Sequence, residues 1–233
     1  MNFRFINIYP NANIDAKAVA GAIAKILPSC KADVRRPFRH DERIENARIS
    51  DLKQPFERQP IDTDDAKPFY DGFVLQRILA ETIPAAEADH LHIIFTDLLT
   101  CTFSEEDWRY HGRAVVCGTP SIVSTTGIVE APAKQREFYI AQHGTADVAR
   151  LKKQFAGRFI DYGDGRIADA AAVYALQALF FFITDGQPFC KDKYCMLYNS
   201  HWQEELVNII EKVALCAHHK KMANKFNKRI GRG

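Results

Sequence analysis

The feature that most constrains the fold is one apolar stretch, Ala168–Ile183, which contains no Lys, Arg or Glu. It is interrupted by Asp169, Tyr174 and Gln177, and it falls short of the ~20 residues that span a bilayer. A helix that is apolar on all sides must be covered by other elements of its own domain. The stretch therefore predicts a central buried helix over Ala168–Thr184 and argues against a membrane protein.

Strand and helix patterns alternate early in the chain. Asn2–Tyr9 carries apolar residues on both faces, as a strand covered on both sides would. Apolar residues then recur at helical spacing from Val19 to Leu27, and Asp33–Arg36 can return as a second strand. Further β-rich segments are predicted at Leu91–Thr96, Arg113–Gly118, Ser121–Val129 and Glu137–Gln142, and helices at Asp147–Ala156 and His201–Ala223. The pattern predicts an α/β or α+β fold with a mixed sheet packed with helices.

Length and composition predict one globular domain. The chain has 233 residues, of which 47% are hydrophobic and 26% charged, and its net charge is +2. We expect this domain to span residues 1–217 and a basic tail to follow at 218–233. Residues 35–68 are rich in charge and proline, which predicts a long surface excursion. The first residues include no leader-like apolar stretch, so we expect a cytoplasmic protein.

Four residues near the end of the chain have the spacing of a metal site. They follow the pattern C-x4-C-x20-C-x2-H and are Cys190, Cys195, Cys216 and His219. Thiolate and imidazole are ligands that zinc prefers, and two short-spaced pairs typically form a closed structural site. We therefore predict a structural zinc ion, with His218 as the competing fourth ligand. Buried free thiols and redox chemistry are the alternatives.

The segment that holds these cysteines resembles part of a known signature. Residues Gly186–His219 are similar to the tail of the archaemetzincin signature HExxHxxGxxHC-x4-C-x-M…CxxC, which defines a family of zinc metallopeptidases. Gly186, Cys190 and Cys195 are in register, Met196 lies one position early, and the last pair is Cys216-x-x-His219. The resemblance is greatest to a branch whose function is not known, and it implies a metzincin-like fold with a zinc-knuckle segment at 186–219.

The catalytic half of this signature is replaced. The resemblance implies metal-binding histidines at positions 179, 183 and 189 and a general-base glutamate at 180, where this sequence has Leu179, Ile183, Phe189 and Phe180. Apolar side chains can neither bind zinc nor take a proton from its water. We therefore expect a pseudoenzyme that acts by binding a protein or peptide. In metzincins an edge strand pairs with extended substrate, and Ser121–Val129 is the candidate here; an ordinary, fully paired strand is the alternative.

Two other functions remain open. A metal-dependent hydrolase could bind its metal through His90, His92 and His111, of which the first two share a strand face; surface histidines are the alternative. An adaptor could bind RNA or an acidic protein surface through the basic end of the chain; a frayed tail is the alternative. No acid follows Glu211, and the basic residues of this end are Lys220, Lys221, Lys225, Lys228, Arg229 and Arg232. Asp164, in the sequence DYGDGR, is predicted to cap the central helix or a neighbouring turn.

Overall fold

A computed structural model describes residues 3–12, 14–38, 41–49, 67–145 and 147–232. The main sheet has five strands in the order β2-β1-β4-β8-β7, with β1, β2, β4 and β8 parallel and β7 antiparallel at one edge. Its strands are β1 (Phe5–Tyr9), β2 (Lys31–Val34), β4 (Leu91–Thr96), β7 (Val115–Val116) and β8 (Ser121–Ser124). A second sheet has the order β3-β5-β6 and comprises β3 (Phe69–Asp71), β5 (Leu99–Ser104) and β6 (Arg109–Arg113).

Eight α-helices lie in the described part of the chain. They are α1 (Ala16–Ile26), α2 (Gly72–Ala80), α3 (Thr125–Glu130), α4 (Arg136–His143), α5 (Val148–Gln154), α6 (Ile167–Ile183), α7 (Gln203–Lys212) and α8 (Ala217–Ile230). Short 3-10 turns occupy Glu42–Ala47 and Ala85–Glu87. None of these helices is long and apolar enough to cross a membrane.

The main sheet separates two apolar cores, which explains why its strands are apolar on both faces. Ile93 of β4 and Val123 of β8 point into the larger core with α1 and α6. Their neighbours Ile94 and Ile122 point to the opposite side, where α2 packs. Parallel strands covered on both faces have this pattern. The predicted mixed α/β fold is confirmed, and α6 lies in the larger core as its sequence requires.

Three of the predicted elements are wrong. Residues 137–142 belong to the helix α4, whose Phe138 packs in a small aromatic cluster with Phe155 and Phe159. The strand predicted over 121–129 ends at Ser124, because the side chain of Ser124 accepts a hydrogen bond from Gly127 N–H and starts α3.

The single helix predicted over 201–223 is interrupted. Val213 adopts a left-handed conformation with φ 39° and ends α7, and Cys216 is the N-cap of α8. The intervening Ala214 accepts a hydrogen bond from Met196 N–H at 2.8 Å. The break turns the chain back towards the segment after α6, which brings Cys216 to the other cysteines.

The predicted surface excursion lies only partly within the described residues. Its first part continues from β2 to the 3-10 turn Glu42–Ala47, whose Ile44 and Ala47 pack against α2 in the smaller core. Residues 39–40 and 50–66 lie outside the described residues.

Candidate metal centre

Three separate parts of the chain converge after the central helix. Gly186, with φ +89°, follows the end of α6, and its N–H donates to Phe181 O. A turn carrying Cys190 and Cys195 follows and is closed by a hydrogen bond from Cys190 N–H to Leu197 O at 2.8 Å. The α7–α8 connection and the first turn of α8 supply the remaining two ligands. We call Cys190, Cys195, Cys216 and His219 the Cys3His cluster.

The four ligand atoms of the Cys3His cluster lie within 4.8 Å of one another. Cys190 Sγ is 3.9 Å from Cys216 Sγ, and His219 Nδ1 is 3.8 Å from Cys195 Sγ and 3.2 Å from Cys216 Sγ. Tetrahedral zinc with ordinary bond lengths separates two sulfurs by about 3.8 Å and a sulfur from a nitrogen by about 3.6 Å. The spacing of the side chains therefore fits one zinc ion.

Backbone N–H groups donate hydrogen bonds to two of the three sulfurs. Asp192 N–H donates to Cys190 Sγ, and Cys216 N–H donates to Cys195 Sγ, each at 3.4 Å. Such bonds favour the charged thiolate, which is the form that binds zinc. Cys195 and His219 are buried, and Cys190 and Cys216 are partly exposed.

The protonation states also suit a metal site. Burial raises the pKa of the Cys190 and Cys195 thiols, so metal binding must release their protons. Burial opposes ionisation of Cys216 as well, but hydrogen bonds to its sulfur, including one from His219 N–H, bring the pKa of Cys216 below its usual value. Burial and the neighbouring His218 lower the pKa of His219, which keeps its imidazole neutral and able to coordinate.

The competing ligand His218 does not belong to this group. It is exposed, and its ring meets that of His219 edge to face at a centroid distance of 5.0 Å. The helical turn directs His219 inwards and His218 towards solvent. With four protein ligands, the Cys3His cluster would leave no position for a reacting water, which is the property of structural zinc sites.

Two residues that support the cluster were not identified from the sequence. Gln177, in the middle of α6, donates to Met196 O at 3.3 Å and to Tyr198 O at 3.1 Å and so holds the turn that follows Cys195. Phe180 packs edge to face on the ring of His219 at a centroid distance of 5.8 Å. A lone amide within an apolar helix was the available signal for Gln177, because a buried amide needs polar partners.

The four positions that the resemblance assigns to the catalytic motif differ in burial. Leu179 and Phe180 lie in the core and are 1% and 0% exposed. Ile183 is partly buried, whereas Phe189 is 44% exposed. Two of these side chains thus contribute to the interior of the domain itself.

The three histidines of the predicted alternative metal site do not form a group that could bind a metal. The rings of His90 and His92 stack 6.3 Å apart, where they bond with Asn7 and Tyr9. His111 lies in the second sheet and bonds with the Asp107 carboxylate at 2.9 Å. Across the described ranges, the Cys3His cluster is the only group of three or more such side chains that could hold a metal ion.

The Asp164 carboxylate forms a local turn instead of capping the first helical N–H groups. It accepts from Arg166 N–H at 2.9 Å and pairs with the Arg166 guanidinium at 2.6 Å. Arg166, and not Asp164, is the N-cap residue of α6. Asp164 therefore caps the turn that precedes α6, which is the second of its two predicted positions.

The predicted peptide-binding strand is wrong. The strand part of Ser121–Val129 is β8, which is paired with β4 on one side and with β7 on the other. The backbone N–H and C=O groups of β8 are therefore used for pairing within the sheet. The edges of the main sheet are β2 and the short antiparallel strand β7.

Comparisons with known proteins agree with this fold. Residues 2–226 match a family described as a probable metallopeptidase family (DUF6775). Archaemetzincin (amzA) from Methanopyrus kandleri, a crystal structure, is similar with a TM-score of 0.53 and 11% sequence identity, and the similarity covers 98% of this chain and 97% of that one. No match was found among curated proteins. The expected metallopeptidase family is confirmed, and the expected resemblance to the archaemetzincins is confirmed for the fold.

Proposed function

Because this chain belongs to the probable metallopeptidase family DUF6775, we propose that it is a catalytically degenerate member that holds one structural zinc and acts by binding a protein or peptide. The observation that carries the proposal is the contrast between the two halves of the signature. The Cys3His cluster has the spacing of a zinc site, while positions 179, 180, 183 and 189 are Leu, Phe, Ile and Phe.

Two observations support the proposed loss of catalysis: the residue types at these positions and the burial of the side chain at position 180. A hydrolytic zinc needs protein ligands, an open coordination position and a carboxylate that takes the proton from water. Phe180 stands at the position of that carboxylate, is 0% exposed and contacts His219. The side chain at this position therefore lies inside the core, out of contact with solvent.

Zinc bound by the Cys3His cluster would crosslink two parts of the chain and would not act as a Lewis acid. Cys190 and Cys195 would tie the turn after α6 to Cys216 and His219 at the start of α8. Gln177 orients the turn from α6, and Phe180 fixes the ring of His219. Such contacts around the ligands hold a metal site in its geometry.

The metal content of the protein tests this proposal. We expect about one zinc per chain in the parent protein and none in the Cys190→Ser/Cys195→Ser variant, since two ligands of a closed four-ligand site are removed. Elemental mass spectrometry on untagged protein measures both. The control is Cys30→Ser/Cys117→Ser, which changes two thiols outside the cluster and should keep the metal.

Two results would contradict the proposal. Zinc that persists in the Cys190→Ser/Cys195→Ser variant would place the metal elsewhere in the chain. Catalytic degeneracy would be refuted if the pure protein showed zinc-dependent hydrolysis of peptides and kept this activity after loss of Cys190.

We further propose that a bound peptide pairs with the edge strand β7. Val115 and Val116 pair with Val123 and Ile122 of β8, and among the described strands no other pairs with β7. Main-chain pairing at a sheet edge requires no metal, so it can persist in a degenerate peptidase.

Hydrogen exchange tests this edge. Addition of a mixture of unstructured peptides should slow amide exchange at residues 114–117, because outward-facing groups of β7 would gain partners. The internal strand β8, already paired on both sides, should change less and serves as the control. Unchanged exchange at 114–117 under saturating peptide would rule out pairing at β7.

A further inference from the structure

The near-neutral net charge of the chain conceals a strong asymmetry. Residues 212–233 carry seven of the 31 Lys and Arg and no Asp or Glu. The other 211 residues carry 24 basic and 29 acidic side chains. A positively charged surface on an otherwise acidic protein is typical of a localised site for a polyanion.

This basic segment is held in a fixed position. Most of it forms α8, whose Ala223, Phe226 and Ile230 are buried in the main core. The Phe226 ring lies 4.7 Å from that of Phe3.

Hydrogen bonds fix the same helix along its length. The Asn227 amide donates to Ile26 O, and the Arg4 guanidinium donates to Ile230 O. The segment predicted as a basic tail thus presents its charges from a docked helix.

The cations of α8 share its exposed side. Lys220, Lys221, Lys225 and Lys228 are all exposed. No carboxylate among the described residues forms an ion pair with any of these four lysines. Like charges at i and i+4 repel each other and weaken a helix. A bound polyanion would remove this repulsion.

An exposed aromatic ring flanked by cations lies at the metal end of this surface. Tyr194 is 53% exposed, with Lys212 Nζ 3.8 Å and Lys193 Nζ 5.2 Å from its ring centre. The Cys3His cluster links the turn that carries Tyr194 to the first turn of α8, since Cys195 Sγ lies 3.8 Å from His219 Nδ1. The nearby Asp192 accepts a hydrogen bond from Tyr194 N–H.

We propose that this surface binds single-stranded nucleic acid. We call it the basic surface; its members are Lys193, Tyr194, Lys212, Lys220, Lys221, Lys225 and Lys228. The lysines of α8 contact phosphates, and Tyr194 stacks with an unpaired base. Aromatic rings next to rows of cations are the usual platform for single strands, because every base offers a face for stacking. An acidic polypeptide would use the cations but has no base to stack on Tyr194.

Fluorescence anisotropy with a labelled oligo(dT) of about 20 nucleotides, on the full chain, tests the proposal. The parent should bind, with an affinity that falls between about 50 and about 200 mM salt. Lys225→Glu/Lys228→Glu should weaken binding at least about tenfold and reduce the salt slope by about 1.4, since each phosphate contact on a single strand contributes about 0.7. Tyr194→Ala should weaken binding about tenfold, as expected for loss of one stacked base.

A matched control separates this surface from general charge. Arg150→Glu/Lys153→Glu on α5 makes the same change in net charge at two exposed positions and should leave binding within about twofold. The proposal is overturned if the parent does not bind oligo(dT) at low salt, or if the α5 control loses as much affinity as the α8 variant. Equal binding of polyglutamate or of anionic vesicles, with no effect of Tyr194→Ala, would also overturn it, in favour of an acidic protein or a membrane surface.

Discussion

Removal of zinc from the Cys3His cluster is expected to lower the free energy of unfolding by about 4 kcal/mol or more, because a ligand at a thousand times its dissociation constant stabilises the folded state by that amount. The cluster joins the turn after α6 to the α7–α8 connection, which are also joined by the hydrogen bond from Met196 N–H to Ala214 O. Urea unfolding of zinc-loaded protein, with and without a chelator, measures the difference.

The loss of stability on removal of zinc should depend on pH. The pKa of Cys190 and that of Cys195 are raised by burial, so both thiols are protonated at neutral pH until metal displaces their protons. Lower pH therefore favours the metal-free form, and the stability lost on chelation should shrink as pH falls.

A single buried ligand provides the matched variant for this experiment. Cys195→Ser should unfold at the same urea concentration with and without chelator, whereas Cys30→Ser should keep the full response, since Cys30 lies outside the cluster. An unchanged free energy of unfolding of the parent protein in the presence of chelator would show that the four side chains form an ordinary core contact without metal.

The second large effect is expected at Phe180, in the core beside the Cys3His cluster. Phe180→Ala should cost about 3–5 kcal/mol of stability, the usual penalty for emptying a fully buried aromatic site. Phe180 is 0% exposed and contacts the ring of His219. We therefore also expect weaker zinc binding, because the ligand loses the surface that orients it. Urea unfolding and competition with a metal indicator measure the two effects.

Phe189→Ala is the control for this prediction. It alters another position of the same motif, but Phe189 is 44% exposed, and exposed sites usually change stability by about 0.5 kcal/mol or less. A cost below about 1 kcal/mol for Phe180→Ala would contradict a filled core at this position. It would mean that a cavity remains where a metzincin has its active site.

Much of the architecture followed from local patterns. The apolar run of α6, too short for a bilayer, specified a helix inside the domain, and LHIIFT specified a strand buried on both faces. Both inferences succeed because burial on all sides removes the polar residues that a surface would retain. The spacing of Cys190 and Cys195 similarly predicted a turn that places two ligands together.

The errors occurred where a few hydrogen bonds outweigh the apolar pattern. Ser124 ends a run of β-forming residues by capping α3, and Ala214 accepts a bond from Met196 at the break between α7 and α8. Serine is a preferred N-cap residue, so Ser124 offered a signal that the apolar run outweighed. The backbone carbonyl of Ala214 has no such signal, because any residue carries one.

The sequence by itself determined which four residues could bind a metal and that positions 179, 180, 183 and 189 carry apolar side chains, because coordination and proton transfer depend on side-chain chemistry. Only the tertiary structure decided that the two ligand pairs meet, that His219 points inwards in place of His218, and that β8 is closed while β7 is an edge. These depend on contacts between residues far apart in the chain. Their free energy comes from burial and pairing in the assembled core, which no local pattern encodes.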